Sequence, residues 1–243
     1  MAETFTALLI AHVLADFVFQ TDGMIRRKAR IPVLLLHALV VLALLLAAFG
    51  RLDVPALYLL ALAHLVIDAV KVRFGDSLRP FLLDQGAHLA TLGIATLAVP
   101  DLWAQSLWMA VDPGTARTVL AVLLYVAGFT VAVRAGGFAV GKLLAPMTPH
   151  WVRARILSGG FPGAGRIIGQ LERGLTFALV LIGQPTGVAF LVAAKSVMRF
   201  NATREDRSMA EYVIIGTLAS VAWALAAAYG TQWLAQAIGI APP

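Results

Sequence analysis

The chain has 243 residues, 60% of them hydrophobic and only 13% charged, and a mean hydropathy of +0.85. A soluble domain carries about 25% charged residues, so an ordinary water-soluble globule is excluded. Cysteine is absent, which excludes disulfides, thiolate metal sites, iron–sulfur clusters and covalent c-type haem, so any metal has to be held by His, Asp or Glu.

Apolar runs of roughly 15 to 25 residues recur from end to end, separated by short polar breaks. They predict an all-α polytopic membrane protein of about eight transmembrane helices, near 4–20, 32–49, 54–72, 82–100, 118–140, 168–183, 186–200 and 211–234. The first run begins behind Glu3 rather than a basic flank and reads as a permanent span, not a cleaved signal. The sixth and seventh are short, which predicts a tilted or re-entrant hairpin around Gln184-Pro185. Two parts are expected: residues 1–105 as a four-helix unit, and 106–243 as a second transmembrane unit with basic loops.

Charge sets the expected orientation. Arg26, Arg27, Lys28 and Arg30 fill the first loop, and Lys71, Arg73 and Arg79 flank the third. His150, Arg153, Arg155 and Arg166 mark the fifth, and Lys195, Arg199, Arg204 and Arg207 the seventh. Sixteen of the nineteen basic residues lie in or beside these loops, which places them in the cytoplasm and both termini outside. The net charge of +6 and pI near 10.2 follow from this asymmetry. The expected partners are membrane lipids with anionic headgroups, not nucleic acid; a homo-oligomer is compatible with the pattern.

A repeat carries the candidate chemistry. His12-x3-Asp16 in the first helix recurs as His64-x3-Asp68 in the third, an offset of 52. Each is followed by a basic loop and a lone intramembrane histidine, His37 and His88, at an offset of 51. Two tandem helical hairpins of one orientation are implied, with their HxxxD faces converging in a four-helix cluster. At 1.5 Å per residue the four histidines share a depth of roughly 9 to 12 Å, with Asp16, Asp68 and Asp84 about a turn nearer the basic loops. An Asp facing lipid at a helix centre costs roughly 2.5 to 3.5 kcal/mol, so these carboxylates should turn inward and find partners.

His and Asp on converging helices suit Zn2+ or a similar divalent ion. A metal-free polar or proton-handling network and a haem held by two opposed histidines remain the alternatives. In the metal reading His12, His64 and His88 with Asp16 or Asp68 hold the ion, and His37 is a fourth ligand or an orienting group. Asp84 takes a proton from bound water and Lys71 offsets charge, while Gln20 and Gln85 line the approach near the surface. In the second half Arg166, Arg173, Lys195 and Arg199 form an ion-pair network with Glu172 or an anionic headgroup pocket. Arg134 either snorkels or pairs with a buried acid, and Gly136-Gly137 lets another helix approach closely. The glycine-rich segment from Ser158 to Arg166 is expected to be an interfacial loop anchored by Trp151 and Phe161.

The run His12-x3-Asp16-x3-Gln20, His37, His64-x3-Asp68-x2-Lys71 and Asp84-Gln85-x2-His88 resembles a bacterial membrane family known only as a domain of unknown function, DUF3307. Gly165-Arg166-Ile167-Ile168-Gly169-x-Leu171-Glu172-Arg173, Lys195-Ser196-x2-Arg199-Phe200 and Glu211-Tyr212-x2-Ile215-Gly216-Thr217-Leu218-x-Ser220 resemble its longer, two-part members. The resemblance implies a bacterial inner-membrane protein and no particular reaction. In arrangement alone the pattern is similar to intramembrane zinc hydrolases that act on lipids. The leading expectation is therefore a metal-dependent hydrolase of a lipid or other amphipathic substrate at the cytoplasmic leaflet, with divalent-cation transport second.

The alternation of basic and poorly charged loops makes a topology prediction. Cysteines introduced at Arg27, Arg153 and Arg204 should be shielded from an impermeant thiol reagent in intact cells, while one at Asp112 is labelled. Labelling at position 27 from outside reverses the orientation.

Overall fold

The computed structural model describes residues 1–147, 163–203 and 207–240, with side chains through Val197 and again from Ala210. Its described regular elements are all helical. α1 (Ala2–Leu14) continues as a π-helical segment, Ala15–Phe19; the short α2 (Asp22–Arg26) leads into α3 (Ile31–Phe49), α4 (Pro55–Lys71) and α5 (Leu78–Ala98). The short α6 (Leu107–Val111) precedes α7 (Pro113–Thr130), which continues through a second π segment, Val131–Ala135, into α8 (Gly136–Leu144). α9 (Ala164–Leu181), α10 (Thr186–Thr203) and α11 (Arg207–Ala237) complete the order.

Helices occupy all eight expected positions, but among the described residues four are long and apolar enough to cross a membrane: Ala2–Phe19, Ile31–Phe49, Pro113–Leu144 and Ala210–Ala237. The others fall short for readable reasons. α4 has only 17 residues, α5 carries Asp84, Gln85 and His88 within its apolar stretch, and α9 carries Arg166, Glu172 and Arg173. α9 and α10, at the places of the sixth and seventh expected spans, are separated by a turn in which Gly183 takes a positive φ of 72°.

The chain divides into two compact units. The first, Met1–Thr130 with the end of α11 from Trp233, takes in α6 and α7 as well as the residues up to 105; the second is Val131–Gln232. In the first, α1 packs on α3 and α5, α3 on α4, and α4 on α5, which closes a four-helix ring, while α7 packs on α1. α1 is the most enclosed of the candidate spans.

The ring is apolar outside and polar within. The buried stripe of α3 is His37, Val41, Leu45 and Phe49, and that of α5 is Phe81, Asp84, His88, Leu92 and Thr96, a spacing of three to four that keeps one narrow helix face inward. The outward faces carry large apolar side chains, with Leu39 62%, Leu59 65%, Leu83 74% and Ile94 67% exposed. One turn from each histidine, away from the basic loops, lies an apolar side chain: Leu8, Val41, Leu60 and Leu92, all buried. That end of the ring is tied down by Thr4, whose hydroxyl donates to Pro100 O at 2.8 Å and accepts from Trp103 N at 3.1 Å. Gly50 ends α3 at φ 61°, and a Cβ there would stand 2.6 Å from Leu107 Cβ.

In the second unit, Ala132, Phe177, Val180 and Ala228 form an apolar core. The π segment shifts the backbone ladder and leaves carbonyls to be satisfied by side chains. Trp223 Nε1 donates to Val131 O at 2.9 Å. Arg173, 4% exposed, donates to Val133 O through Nη2 at 3.0 Å and to Ser220 Oγ through Nη1 at 3.3 Å. The expected close approach at Gly136 has its reason here: a Cβ would meet Trp223 Cδ1 at 2.6 Å and Arg173 Cδ at 2.8 Å. Arg134 is exposed.

Gly136→Ala should therefore destabilise the protein by about 1 to 3 kcal/mol through overpacking. Gly141→Ala, with nothing within 4 Å of its Cβ, should be neutral or gain about 1 kcal/mol of helix propensity. Thermal unfolding in detergent compares the two; equal melting temperatures refute the packing account.

Candidate metal centre

All four ring helices send ionisable side chains inward: α1 His12 and, in its π segment, Asp16; α3 His37; α4 His64 and Asp68; α5 Asp84 and His88. None of the seven is more than 6% exposed. Asp16 Oδ1 lies 3.1 Å from His37 Nε2 and 3.3 Å from His64 Nε2, and those nitrogens are 3.1 Å apart. Asp68 Oδ2 approaches the same two nitrogens at 3.5 and 3.6 Å. The two HxxxD carboxylates thus converge on one pair of imidazoles. A tetrahedral ion with ligands at about 2.0 to 2.1 Å has donor–donor edges of about 3.3 to 3.4 Å. The separations bracket that value.

Two more groups adjoin. His88 Nε2 lies 3.4 Å from Asp84 Oδ1 and 3.7 Å from Asp68 Oδ1. His12, His64 and His88 form the other; in each group the candidate ligand atoms lie within 4.8 Å of one another, so the His and Asp side chains are able to hold a metal. The His64 and His88 rings stack with centroids 4.0 Å apart. Asp68 Oδ2, Asp84 Oδ1, both ring nitrogens of His88 and Nδ1 of His12 and His37 are buried without a hydrogen-bond partner among the described residues. An unsatisfied buried polar group costs about 1 to 3 kcal/mol, so this concentration at one place points to a site that takes a ligand. Haem does not fit between His37 and His64, whose facing nitrogens leave no room for a macrocycle.

The seven residues all fall inside a stretch, residues 4–112, that matches the model of a family described as Protein of unknown function (DUF3307). Residues 4–112 are a DUF3307 region. No curated protein and no solved structure matches the chain.

Within the DUF3307 region each carboxylate has one oxygen turned toward imidazole while another is tied by a protein donor. Gln85 Nε2 donates to Asp16 Oδ2 and Asp84 Oδ2, both at 3.2 Å, and Gln85 Oε1 faces His12 Nε2 at 3.3 Å. Lys71 Nζ donates to Asp84 Oδ2 at 2.6 Å and stands 5.6 Å from the Phe81 ring centroid. Lys28 Nζ donates to Asp68 Oδ1 at 2.6 Å. Such outer partners fix the orientation of metal ligands. Gln85, expected to touch substrate, spends its amide on this orienting role. Lys28 is the site residue that sequence reasoning missed: its place in a basic run reads as topology, and its partner is 40 residues away. Gln20 is 8% exposed, with Nε2 unpartnered among the described residues.

In the second unit two of the expected substrate-binding groups, Arg173 and Lys195, are engaged by the protein itself. Arg166 is exposed, Lys195 pairs with Glu172 at 2.5 Å, and Arg173 is taken up by Val133 and Ser220. The pair is the part of the expected ion network present. The Arg199 side chain lies outside the described residues, as do residues 148–162, with His150, Trp151, Arg153, Arg155, Ser158 and Phe161, and Arg204; Arg207 is described only in its backbone.

Removing Lys28 leaves Asp68, 1% exposed, without its cation. Breaking a buried pair from one side costs about 3 to 5 kcal/mol, and less here because Lys28 is partly exposed, so Lys28→Met should lower chelator-treated stability by about 2 kcal/mol. Adding Asp68→Asn should restore most of the loss. A double variant no more stable than Lys28→Met shows that the pair is not the cause.

Proposed function

We propose that the DUF3307 region is a divalent-metal centre, with Zn2+ as the fitting ion, that hydrolyses a lipid or other amphipathic substrate at the leaflet facing the basic loops. The observation that carries this is the donor group Asp16 Oδ1, His37 Nε2 and His64 Nε2, 3.1 to 3.3 Å apart, with Asp68 Oδ2 3.5 and 3.6 Å from the same two nitrogens, distances that suit the edges of a tetrahedral site. His37 is then central, and Asp68 is the more distant of the two carboxylates. A divalent ion held by these residues would supply a water with its pKa lowered to about 7. Asp84 Oδ1 is the nearby carboxylate oxygen free to take the proton, and Lys71 offsets charge on the substrate.

In this reading all eight long helices cross the membrane with both termini outside. The outward apolar faces of α4 and α5 support it, since Leu59 and Leu83 have no other solvent suited to them. The hairpins α1–α3 and α4–α5 are tandem repeats, supported by the matched positions of His12 with His64, Asp16 with Asp68, and His37 with His88. Transport of the ion is disfavoured by the layer of Leu8, Val41, Leu60 and Leu92 one turn beyond the histidines, which closes the ring on that side.

Metal analysis of purified wild type should find bound divalent ion, and His64→Ala should lose it. If the ion is present at 100 times its dissociation constant, chelation should cost wild type about 2.7 kcal/mol of stability and His64→Ala nothing further. No bound ion together with no chelator effect refutes the metal centre. A metal-loaded protein that cleaves no lipid ester or phosphoester in vesicles, across a headgroup panel, refutes the hydrolase while leaving the metal.

A further inference from the structure

Asp68 is the one carboxylate that faces two imidazole groups with different oxygens. Its Oδ2 looks to His37 and His64 at 3.5 and 3.6 Å, and its Oδ1 to His88 at 3.7 Å. His88 Nε2 also meets Asp84 Oδ1 at 3.4 Å. Asp84 Oδ1 and His88 Nε2 are buried and lie close together, and neither has a hydrogen-bond partner among the described residues. These atoms belong to α4 and α5 alone, whereas the Asp16 and His37 donors come from α1 and α3.

We propose that the centre is binuclear: a second divalent cation binds among Asp68 Oδ1, Asp84 Oδ1 and His88 Nε2, and the Asp68 carboxylate bridges it to the first. This rests on the metal reading above and adds a second ion to it. Two ions about 3.5 to 4 Å apart are the spacing of two-metal hydrolytic sites, and a carboxylate using both oxygens spans it. Helix bundles build such centres from acid and histidine side chains on facing helices.

Lys28 is the competitor for this second position. Its ammonium sits on Asp68 Oδ1, the oxygen the second ion needs, and its side chain is 13% exposed at the ring's loop end, so it is able to withdraw. Lys71, 19% exposed, holds the other oxygen of Asp84. Three buried carboxylates are offset by two ammonium groups before loading. Two divalent ions and one shared hydroxide offset them without the lysines, which frees Lys28 and Lys71 for an anionic group on the substrate, such as a phosphate. With the second ion bound, Asp84 is a ligand and water activation falls to the pair.

The test uses full-length protein in detergent, stripped with chelator and titrated with Mn2+, with stoichiometry read by elemental analysis and coupling by electron paramagnetic resonance. Wild type should bind two Mn2+ per chain and give a coupled-pair signal. His88→Ala should bind one and give the signal of an isolated ion, and Lys28→Met should bind the second ion at least tenfold more tightly than wild type. One ion per chain in both wild type and Lys28→Met overturns the binuclear proposal and leaves the single metal centre standing. Two uncoupled ions overturn the Asp68 bridge. No ion in any variant overturns the metal reading itself.

Discussion

Three carboxylates enclosed in an apolar ring of helices set the terms for the rest of the first unit. An ionised Asp in such surroundings is tolerable only with cations and donors at contact distance, and Asp16, Asp68 and Asp84 have them: Lys28, Lys71 and the Gln85 amide reach inward from the loop end, and four imidazoles close around the opposite side. The ring's architecture follows. α1 must be enclosed because it supplies both His12 and Asp16, and the short loop through α2 must bring Lys28 within 2.6 Å of Asp68. Large apolar side chains such as Leu39, Leu59, Leu83 and Ile94 are turned outward.

Much of the centre was legible in the sequence because helical period and span length act locally. The spacing of His12 from Asp16, of His64 from Asp68 and of Asp84 from His88 places each pair on one helix face, and an even depth for the four histidines follows from counting along the spans. The partners were not legible, because they are chosen by geometry across the ring. Asp16 lies in a π segment, which winds more residues per turn than an α-helix, and its carboxylate meets His37 and His64 on other helices. Lys28 was hidden among its basic neighbours for the same reason, since only the fold separates Lys28 from the exposed Arg26 and Arg27.

The second unit teaches the converse. Arg173 and Lys195 read as members of an ion-pair network with Glu172 or of a headgroup pocket because basic residues cluster there, and the structure engages each with the protein. Arg173 satisfies a carbonyl at a π segment, and Gly136 exists to let it and Trp223 through. Charge alone does not say whether a cation faces a ligand or a backbone defect. Lys195 illustrates the commoner outcome, a partner one helix away in Glu172.

The buried apolar side chains of Leu8, Val41, Leu60 and Leu92 lie one turn beyond the histidines, and in the proposed reading they close the His/Asp cluster on that side, making it a well open only toward the basic loops. A well of this kind samples one compartment. Under the proposed metal reading its occupancy would follow the ion activity and acidity on the side of the basic loops, with no route for a gradient across the bilayer to load or empty it. In that reading a molecule that reached the cluster would leave past Lys28 and Lys71, the lysines that admitted it.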